Sequence, residues 1–298
     1  MTTTLNVFDK HQIRRAFSRA AHHYDAAAAL QQEVGNRLLE RLDLIKLQPS
    51  WIVDIGAGTG YCTHALSKRY GDAHVIALDL APTMLQQARR RQHGWRSWFS
   101  KQRFVCGDAE HLPLADNSVD MVFSNLTVQW CPDLIRATAE FQRILKPNGV
   151  LLFSTFGPDT LKEIRQSWAA VDDTLHVNTF TDMHDVGDAL MQAKFSDPVV
   201  DVEHLTLTYR DAKQPLRELK TIGANRLARG YRTSLTGKSR LQRYLDAYER
   251  LRRPDGTLPV SYEVIYGLAW GSDAPPTGQT LDDGSVRIPL SSLTPHRR

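Results

Sequence analysis

A short β-branched run, Trp51-Ile52-Val53-Asp54-Ile55, breaks directly into Gly56-Ala57-Gly58-Thr59-Gly60, and an apolar-periodic stretch follows at once and runs to Tyr70. A strand, a glycine turn and a helix in that order leave few folds open, because a strand that feeds a helix returns to the sheet as a right-handed crossover to a parallel neighbour. The pattern then repeats. His74 to Leu80 reads as a strand and Pro82 to His93 as a helix with proline in its first turn; Arg103 to Cys106 and Val119 to Ser124 read as strands. Pro132 to Leu145 reads as a helix stopped by Lys146-Pro147-Asn148-Gly149, and Val150 to Thr155 is a mostly apolar strand of the kind buried on both faces. Five strands in βα order predict an α/β fold, a doubly wound Rossmann-like sheet that is mostly parallel, with helices on both faces.

The flanks predict what surrounds that sheet. Residues 10–46 read as two helices with a boundary near Tyr24-Asp25, the second carrying Leu30, Val34, Leu38, Leu42 and Ile45 at helical spacing. After Phe156 come helices at Pro158 to Ala170 and Met183 to Lys194, a strand from Val199 to Tyr209, basic helices from Lys213 to Arg253, and a last strand at Val260 to Leu268. Two late strands separated by a helical insertion suit an antiparallel edge, with the insertion projecting over the carboxyl ends of the parallel strands, where ligands of such sheets bind. The chain thus reads as one domain: N-terminal helices over 10–46, a core over 51–156, a cap with the last strands over 157–270, and a turn-rich, loosely packed tail over 271–298.

At 298 residues, 42% hydrophobic and 23% charged, the chain has the usage of a folded globular protein, which excludes collagen-like, coiled-coil and wholly disordered readings. Its longest apolar runs fall far short of the ~20 residues of a membrane span, and the polar stretch Met1 to Lys10 has no export signal, so the cytoplasm is the default compartment. Cys62, Cys106 and Cys131 stand too far apart for a disulfide framework or a zinc knuckle and read as reduced thiols, two of them in the core. The eleven histidines include no convincing ligand-spaced pair, so no metal is expected. Charge is uneven: from Asp211 to Arg253 twelve Lys and Arg face four Asp and Glu, a surplus of eight where the whole chain carries +4. Such a segment suits an acidic partner, or is simply a solvated face.

The glycine loop opens a helix, and a helix N-terminus with closely approachable backbone favours an anionic or polar ligand group. Tyr61 stands where the dinucleotide fingerprint needs a small residue, which makes a nicotinamide dinucleotide the poorer fit. Asp79, with Leu80 beside it, ends the second strand where a carboxylate can accept both ribose hydroxyls; alone it could equally cap the helix beginning at Pro82. Asp108, in Gly107-Asp108-Ala109, follows the third strand, where it could accept an adenine amine, or form a turn. Three such features at successive strand ends point together to a nucleoside-bearing cofactor.

With these residues in place, Trp51 to Phe156 resembles the S-adenosylmethionine-dependent class I methyltransferases. The carriers are Asp54-Ile-Gly-Ala-Gly-Thr-Gly60, Asp79, Gly107-Asp108-Ala109, Ser124-Asn125-Leu126 and Ile144-Leu-Lys-Pro-Asn-Gly149. The resemblance implies S-adenosyl-L-methionine as cofactor, with Asp54, Gly56, Gly58 and Gly60 around the methionine moiety, Asp79 and Leu80 at the ribose, Asp108 and Ala109 at the adenine, and the backbone after Ser124 facing the methionine end. Strand four ends Ser-Asn-Leu without the Asn-Pro-Pro-Tyr type signature, which disfavours base N-methylation.

A wider set of stretches is similar to the malonyl-[acyl-carrier-protein] O-methyltransferases of the biotin pathway: Phe17-Ser-Arg-Ala-Ala-His-His-Tyr-Asp25, Ser124-Asn-Leu-Thr-Val-Gln-Trp-Cys131, Phe153-Ser-Thr-Phe-Gly-Pro-Asp-Thr-Leu161, Phe180-Thr-Asp-Met-His-Asp185, Leu219-Lys-Thr-Ile-Gly-Ala-Asn225 and Leu258-Pro-Val-Ser-Tyr-Glu-Val-Ile-Tyr266. The pattern departs by one polar residue missing between Ala224 and Asn225. The resemblance implies methylation of the free carboxylate of a malonyl thioester carried on acyl carrier protein, or of malonyl-coenzyme A.

A carboxylate is already ionised at neutral pH, so such an acceptor needs no general base, and positioning carries the catalysis. Tyr24, where the N-terminal lid would cross the cofactor, and Gln129 and Trp130, beyond strand four, are the candidates at the methyl-transfer site; Tyr24 and Trp130 could also be packing residues. Lys162, Arg165, His184 and Arg226 are candidates to hold the acceptor, and Arg229, Arg232, Lys238, Arg240 and Arg243 to dock an acidic carrier protein. Two other classes stay open: a methyltransferase of a quinone or other small molecule, which would need a base, and a non-enzymatic binding or assembly protein that keeps the fold. The same basic patch could meet RNA, but it is thin in aromatics.

Overall fold

The computed structural model describes residues 9–91, 100–224 and 237–272, with the backbone of two further short strands, Gln279–Thr280 and Val286–Arg287. The parallel strands form where the sequence places β-branched runs: β1 (Trp51–Ile55), β2 (His74–Asp79), β3 (Gln102–Cys106), β4 (Val119–Ser124) and β5 (Leu145–Phe156). The late strands β6 (Ser196–Tyr209) and β7 (Leu258–Trp270) complete a seven-stranded sheet of order β3-β2-β1-β4-β5-β7-β6. β7 is antiparallel to both neighbours, lying between β5 and the edge strand β6. The expected doubly wound sheet with an antiparallel pair at one edge is therefore what forms, the reversed strand β7 lying one in from the edge strand β6. The reversal of strand order on either side of β1 and β4 opens a crevice at their carboxyl ends.

Alternation along the buried strands sends side chains to two separate cores. Ile52, Val75, Met121, Phe123 and Leu152 pack with α3 (Ala29–Glu40), while Val53, Ile76, Val122, Leu151 and Phe153 pack with α6 (Leu134–Ile144) and α8 (Met183–Gln192). The remaining helices are α1 (Lys10–Ala20), the single turn α2 (Tyr24–Ala27), α4 (Tyr61–Arg69), α5 (Pro82–Arg90), α7 (Lys162–Ala169), α9 (Gln214–Thr221) and α10 (Lys238–Glu249). The N-terminal boundary falls near Tyr24-Asp25 as expected, with α2 as a separate turn.

Several bounds differ from the expectation: β5 begins at Leu145 rather than Val150, so the Lys146-Pro147-Asn148-Gly149 stretch read as a helix stop lies inside the strand, and α7, β6 and β7 shift for reasons of packing. α7 begins at Lys162 because residues 157–161 turn back on β7: Leu161 takes a left-handed φ of 59° and its N–H donates to Ser261 O at 2.7 Å. β6 and β7 run beyond their apolar stretches because they pair from Ser196↔Trp270 to Tyr209↔Leu258, with one shift of register between Ser196 and Val199, so backbone pairing carries the ends. Cys62 is buried, Cys131 half-buried and Cys106 exposed, all three free. Most of the tail, 273–278, 281–285 and 288–298, lies outside the described residues, as do Arg226, Arg229 and Arg232. Among the described residues no helix is long and apolar enough to cross a membrane.

Candidate active site

Gly56 sits where the chain leaves β1, with φ +73°, and a Cβ built on it would lie 1.9 Å from Thr127 Oγ1. Only glycine lets the loop after β1 pass this close to the loop after β4. Gly60, at φ +82°, serves packing: its Cβ would meet that of Ala88 at 2.8 Å, so it sets the approach of α4 to α5. Between them the Gly58 N–H donates to Asp79 Oδ2 at 2.8 Å, and Ala81 N–H donates to Asp79 Oδ1 at 2.7 Å. Asp79 therefore ties the glycine loop to the end of β2 and holds the backbone of Ala81, the residue before α5, without capping the helix itself. Burial pushes its carboxyl up to about 6, against the pull of the two N–H donors.

These loops wall one end of a cavity of about 220 Å³. Gly56, Gly58, Asp79, Leu80, Asp108, Ala109, Tyr24, Gln129 and Trp130 all line it. The structure thus brings together nine of the side chains and loop positions singled out from sequence. Three others stand one layer back. Asp54 is buried, accepts the Thr63 hydroxyl at 2.5 Å, and has its carboxyl pushed up to about 7 by burial; it braces the start of α4 and touches only a small side pocket. Ser124 is buried and donates to Ile55 O at 2.9 Å, joining β4 to β1. Gly60 lies behind the loop, against α5.

The lid is α1 with α2. Ile13, Ala16 and Phe17 pack on Leu80 and Trp130, the Phe17 and Trp130 rings meeting edge to face at 5.4 Å. Tyr24 packs with Ala20, Ala21, Ala81 and Met84, and burial, then the nearby Asp79, raises its hydroxyl well above the ordinary tyrosine range, so it stays a proton-bearing donor. Sequence reasoning missed the tie that holds this lid. Asp25 accepts the Thr59 hydroxyl at 2.6 Å and the Arg91 guanidinium at 2.5 Å, and Arg91 also donates to Thr59 O at 2.7 Å. Lys10 likewise pairs with Asp108, at 2.5 Å, and with Glu110.

The candidate acceptor cations behave differently. Lys162 pairs with Asp159 at 2.8 Å on the surface, and His184 pairs with its own helix cap Asp182 at 2.6 Å with its side chain 79% exposed. Arg165 donates to Pro158 O and Thr160 O at 3.0 Å each, which holds the turn before α7. None of the three lines the cavity. The structure therefore does not place them at the site the sequence reading gave them. Lys238 and Arg243 are exposed on α10, whereas Arg240 turns inward to Asp172 at 2.6 Å. The far end of the cavity is built instead by His176 and Asn178 from the loop over 170–182, Tyr209 from β6, Glu218 from α9 and Tyr262 from β7. A loop longer than about 12 residues between two helices was the available signal, since such loops in compact domains are usually functional. Leu126 and Leu161, both left-handed at φ 49° and 59°, line the same cavity and mark where the backbone is held under strain.

Residues 53–153 match the family described as "Methyltransferase domain". The chain is 51% identical to a malonyl-[acyl-carrier protein] O-methyltransferase of Gallionella capsiferriformans, covering 96% of this chain and 97% of that one, and 46% identical to one of Halorhodospira halophila over 97% of each. This chain belongs to the malonyl-[acyl-carrier protein] O-methyltransferase family. Fold agrees: the YcgJ protein of Bacillus subtilis superposes with a TM-score of 0.57 over 80% of this chain and 99% of its own, at 16% identity. For a member of this family, the division of the cavity between strand-end acids and a cap-built chamber is the feature that needs a chemical account.

Proposed function

We propose that this protein transfers the methyl group of S-adenosylmethionine to the free carboxylate of a malonyl thioester on acyl carrier protein, an early step of biotin synthesis. One observation carries the reading: a single cavity joins Asp79 and Asp108 to a mostly apolar chamber under the cap, so a cofactor at the strand ends and an acyl group under the cap would share one enclosed space. The names of relatives nearly half or more identical over the full chain support the acceptor.

The residues present fit the cofactor. Asp79 is a carboxylate at a strand end, lining the cavity beside a glycine loop in which a Cβ on Gly58 would meet nothing closer than Gly56 O at 4.0 Å, leaving the backbone open to approach. In this reading Asp79 accepts the ribose hydroxyls, Asp108 and Ala109 meet the adenine, Leu80 packs on the nucleoside, and Gly56 and Gly58 let the backbone approach the methionine part. Bound there, S-adenosylmethionine would supply a sulfonium methyl open to in-line attack by the acceptor carboxylate, with a neutral thioether leaving with the C–S electron pair as the ester C–O bond forms. No proton moves, so the cavity needs no base. Its work is alignment and exclusion of water, which falls to Tyr24, Gln129 and Trp130 under the α1 lid. Gln129 is held for this: its Nε2 donates to Leu126 O at 2.7 Å and its Oε1 accepts the Thr155 hydroxyl at 3.3 Å.

The acidic carrier protein would be steered by the basic segment from Lys213 to Arg253, of which Lys238 and Arg243 are exposed on α10. The test is mass spectrometry of malonyl-carrier protein and acetyl-carrier protein incubated with enzyme and S-adenosylmethionine. A gain of one methyl on the malonyl form alone is expected. Transfer to neither, with cofactor binding intact, overturns the reading, and equal turnover of malonyl-coenzyme A moves the acceptor from the carrier protein to the thioester itself.

A further inference from the structure

An acceptor carboxylate would be oriented by a cation or a hydrogen-bond donor on the cavity wall, and the lining narrows which cationic side chain could serve. Among its described residues only Lys10 and His176 can be cationic. Lys10 sits beside Asp108 and Glu110, paired with both carboxylates, so its charge is already offset at the adenine end. His176 stands at the acyl end. Its side chain is 6% exposed and its ring lies flat on Trp168, with centroids 3.9 Å apart and planes 6° apart; Trp168 in turn stacks on Tyr244 at 4.5 Å. This packing fixes the plane of the imidazole.

The charge of the ring is set from behind. His176 Nε2 donates to Asp172 Oδ1 at 2.9 Å, while Arg240 Nη2 donates to Asp172 Oδ2 at 2.6 Å. The Thr174 hydroxyl and N–H also donate to Asp172, which together with His176 holds that carboxyl well below the usual range and keeps it an anion. One carboxylate thus lies between a guanidinium and an imidazole. Arg240 balances its charge, so the ring, when protonated, would give the trio a net positive charge on the cavity wall, where screening by water is weak. Another lining residue carries the opposite sign. Glu218 accepts Tyr209 Oη at 2.8 Å and Gln214 Nε2 at 2.8 Å, and its carboxylate disfavours a second anion near it. The cavity is therefore polarised across its acyl end.

We infer that His176, held against Trp168 and backed by the Asp172–Arg240 pair, is the residue that draws and orients the free carboxylate of the acceptor. The inference rests on the carboxyl-methyl-transfer reading above. It also gives Arg240 an inward duty in place of docking the carrier protein.

The experiment is equilibrium binding of two small probes to the full-length protein: malonyl-pantetheine and its neutral amide isostere malonamoyl-pantetheine. The wild type is expected to prefer the charged probe at least tenfold; His176→Gln should bring the ratio near one with S-adenosylmethionine affinity unchanged, and His176→Lys should restore it. An unchanged ratio in His176→Gln, or an equal loss for both probes, overturns the inference and leaves the ring a packing element. Should His176→Gln also lose cofactor affinity through misfolding, Asp172→Asn keeps the imidazole and its stack while removing the carboxylate that favours its charge, and a ratio unmoved there overturns it equally. A wild type that methylates malonyl-carrier protein yet binds both probes alike defeats the role of His176 alone. A wild type that transfers no methyl defeats the underlying reaction.

Discussion

The strand-tip end of the cavity and its cap end are built by different means. Ile55 and Asp79 end β1 and β2, and Gly56, Asp108, Leu126 and Trp130 follow the ends of β1, β3 and β4, so the carboxyl edge of four adjacent strands sets their spacing. His176, Tyr209, Glu218 and Tyr262 come from a loop, an edge strand, a helix and a reversed strand, and only packing of the cap brings them together. The first end is placed by backbone hydrogen bonds that any parallel sheet must make; the second depends on side-chain packing such as the His176–Trp168 stack and the Asp172–Arg240 pair. On the reading proposed above, the cofactor would be held by the sheet-built end and the acceptor met by the cap-built end.

The largest effect should come from breaking the rigid end. Gly56→Val puts a β-branched side chain at φ +73° and within 1.9 Å of Thr127 Oγ1. The backbone strain alone costs about 1–3 kcal/mol, and the overlap forces the loop off the cavity wall. Cofactor binding by calorimetry should vanish, with a lowered Tm. Affinity within a few-fold of wild type would show that the loop does not shape the cofactor site.

Asp79 gives the next effect, and its sign can be worked out. Its carboxyl, ordinarily near ~3.9 in an unfolded chain, stands at about 6 in the fold because it is buried. A raised acid favours folding while protonated, so this group's contribution is present below the unfolded value and is lost as pH rises through about 6. Asp54, at about 7, acts in the same direction. Accepting ribose hydroxyls needs the ionised form, so cofactor affinity should rise over the interval in which the free protein loses stability. Asp79→Asn should weaken cofactor binding roughly 10- to 100-fold, the scale of hydrogen bonds to a charged group, and flatten its pH dependence. A wild-type affinity that does not change between about pH 5 and 7 would remove Asp79 from the ribose.

The same division explains what the sequence disclosed. β1, β2, β4 and β5 were legible because buried parallel strands are mostly apolar runs, whereas β3 begins polar and is only partly buried; the glycine loop and two acids stand at or just after strand ends. Tyr24, where the N-terminal lid crosses, and Gln129 and Trp130, beyond β4, were legible from their places in the chain and line the cavity. The Asp25–Thr59–Arg91 tie was hidden because its members lie on three elements with no local pattern in common. His176 was hidden for a related reason: its meaning depends on Trp168 beneath it and on Arg240, a residue whose sequence context suggested only a surface charge. Lys162 and His184 drew attention because they are cations near the ligand edge, but position along the chain does not say which way a side chain points.

That last point supplies the smallest expected effect and the sharpest control on the cap. Lys162 and His184 are engaged in exposed pairs with Asp159 and Asp182, and pairs of that kind are worth under about 1 kcal/mol. Lys162→Ala and His184→Ala should leave Tm nearly unmoved and keep both kcat and KM for malonyl-carrier protein within about twofold of wild type, since screened surface charges contribute little. His176→Gln, by contrast, removes a buried group that lines the cavity. If either surface substitution raised KM as much as the buried one, the acceptor would be gripped on the open face of α7 and α8, and the enclosed chamber under the cap would lose its claim to be the acyl site.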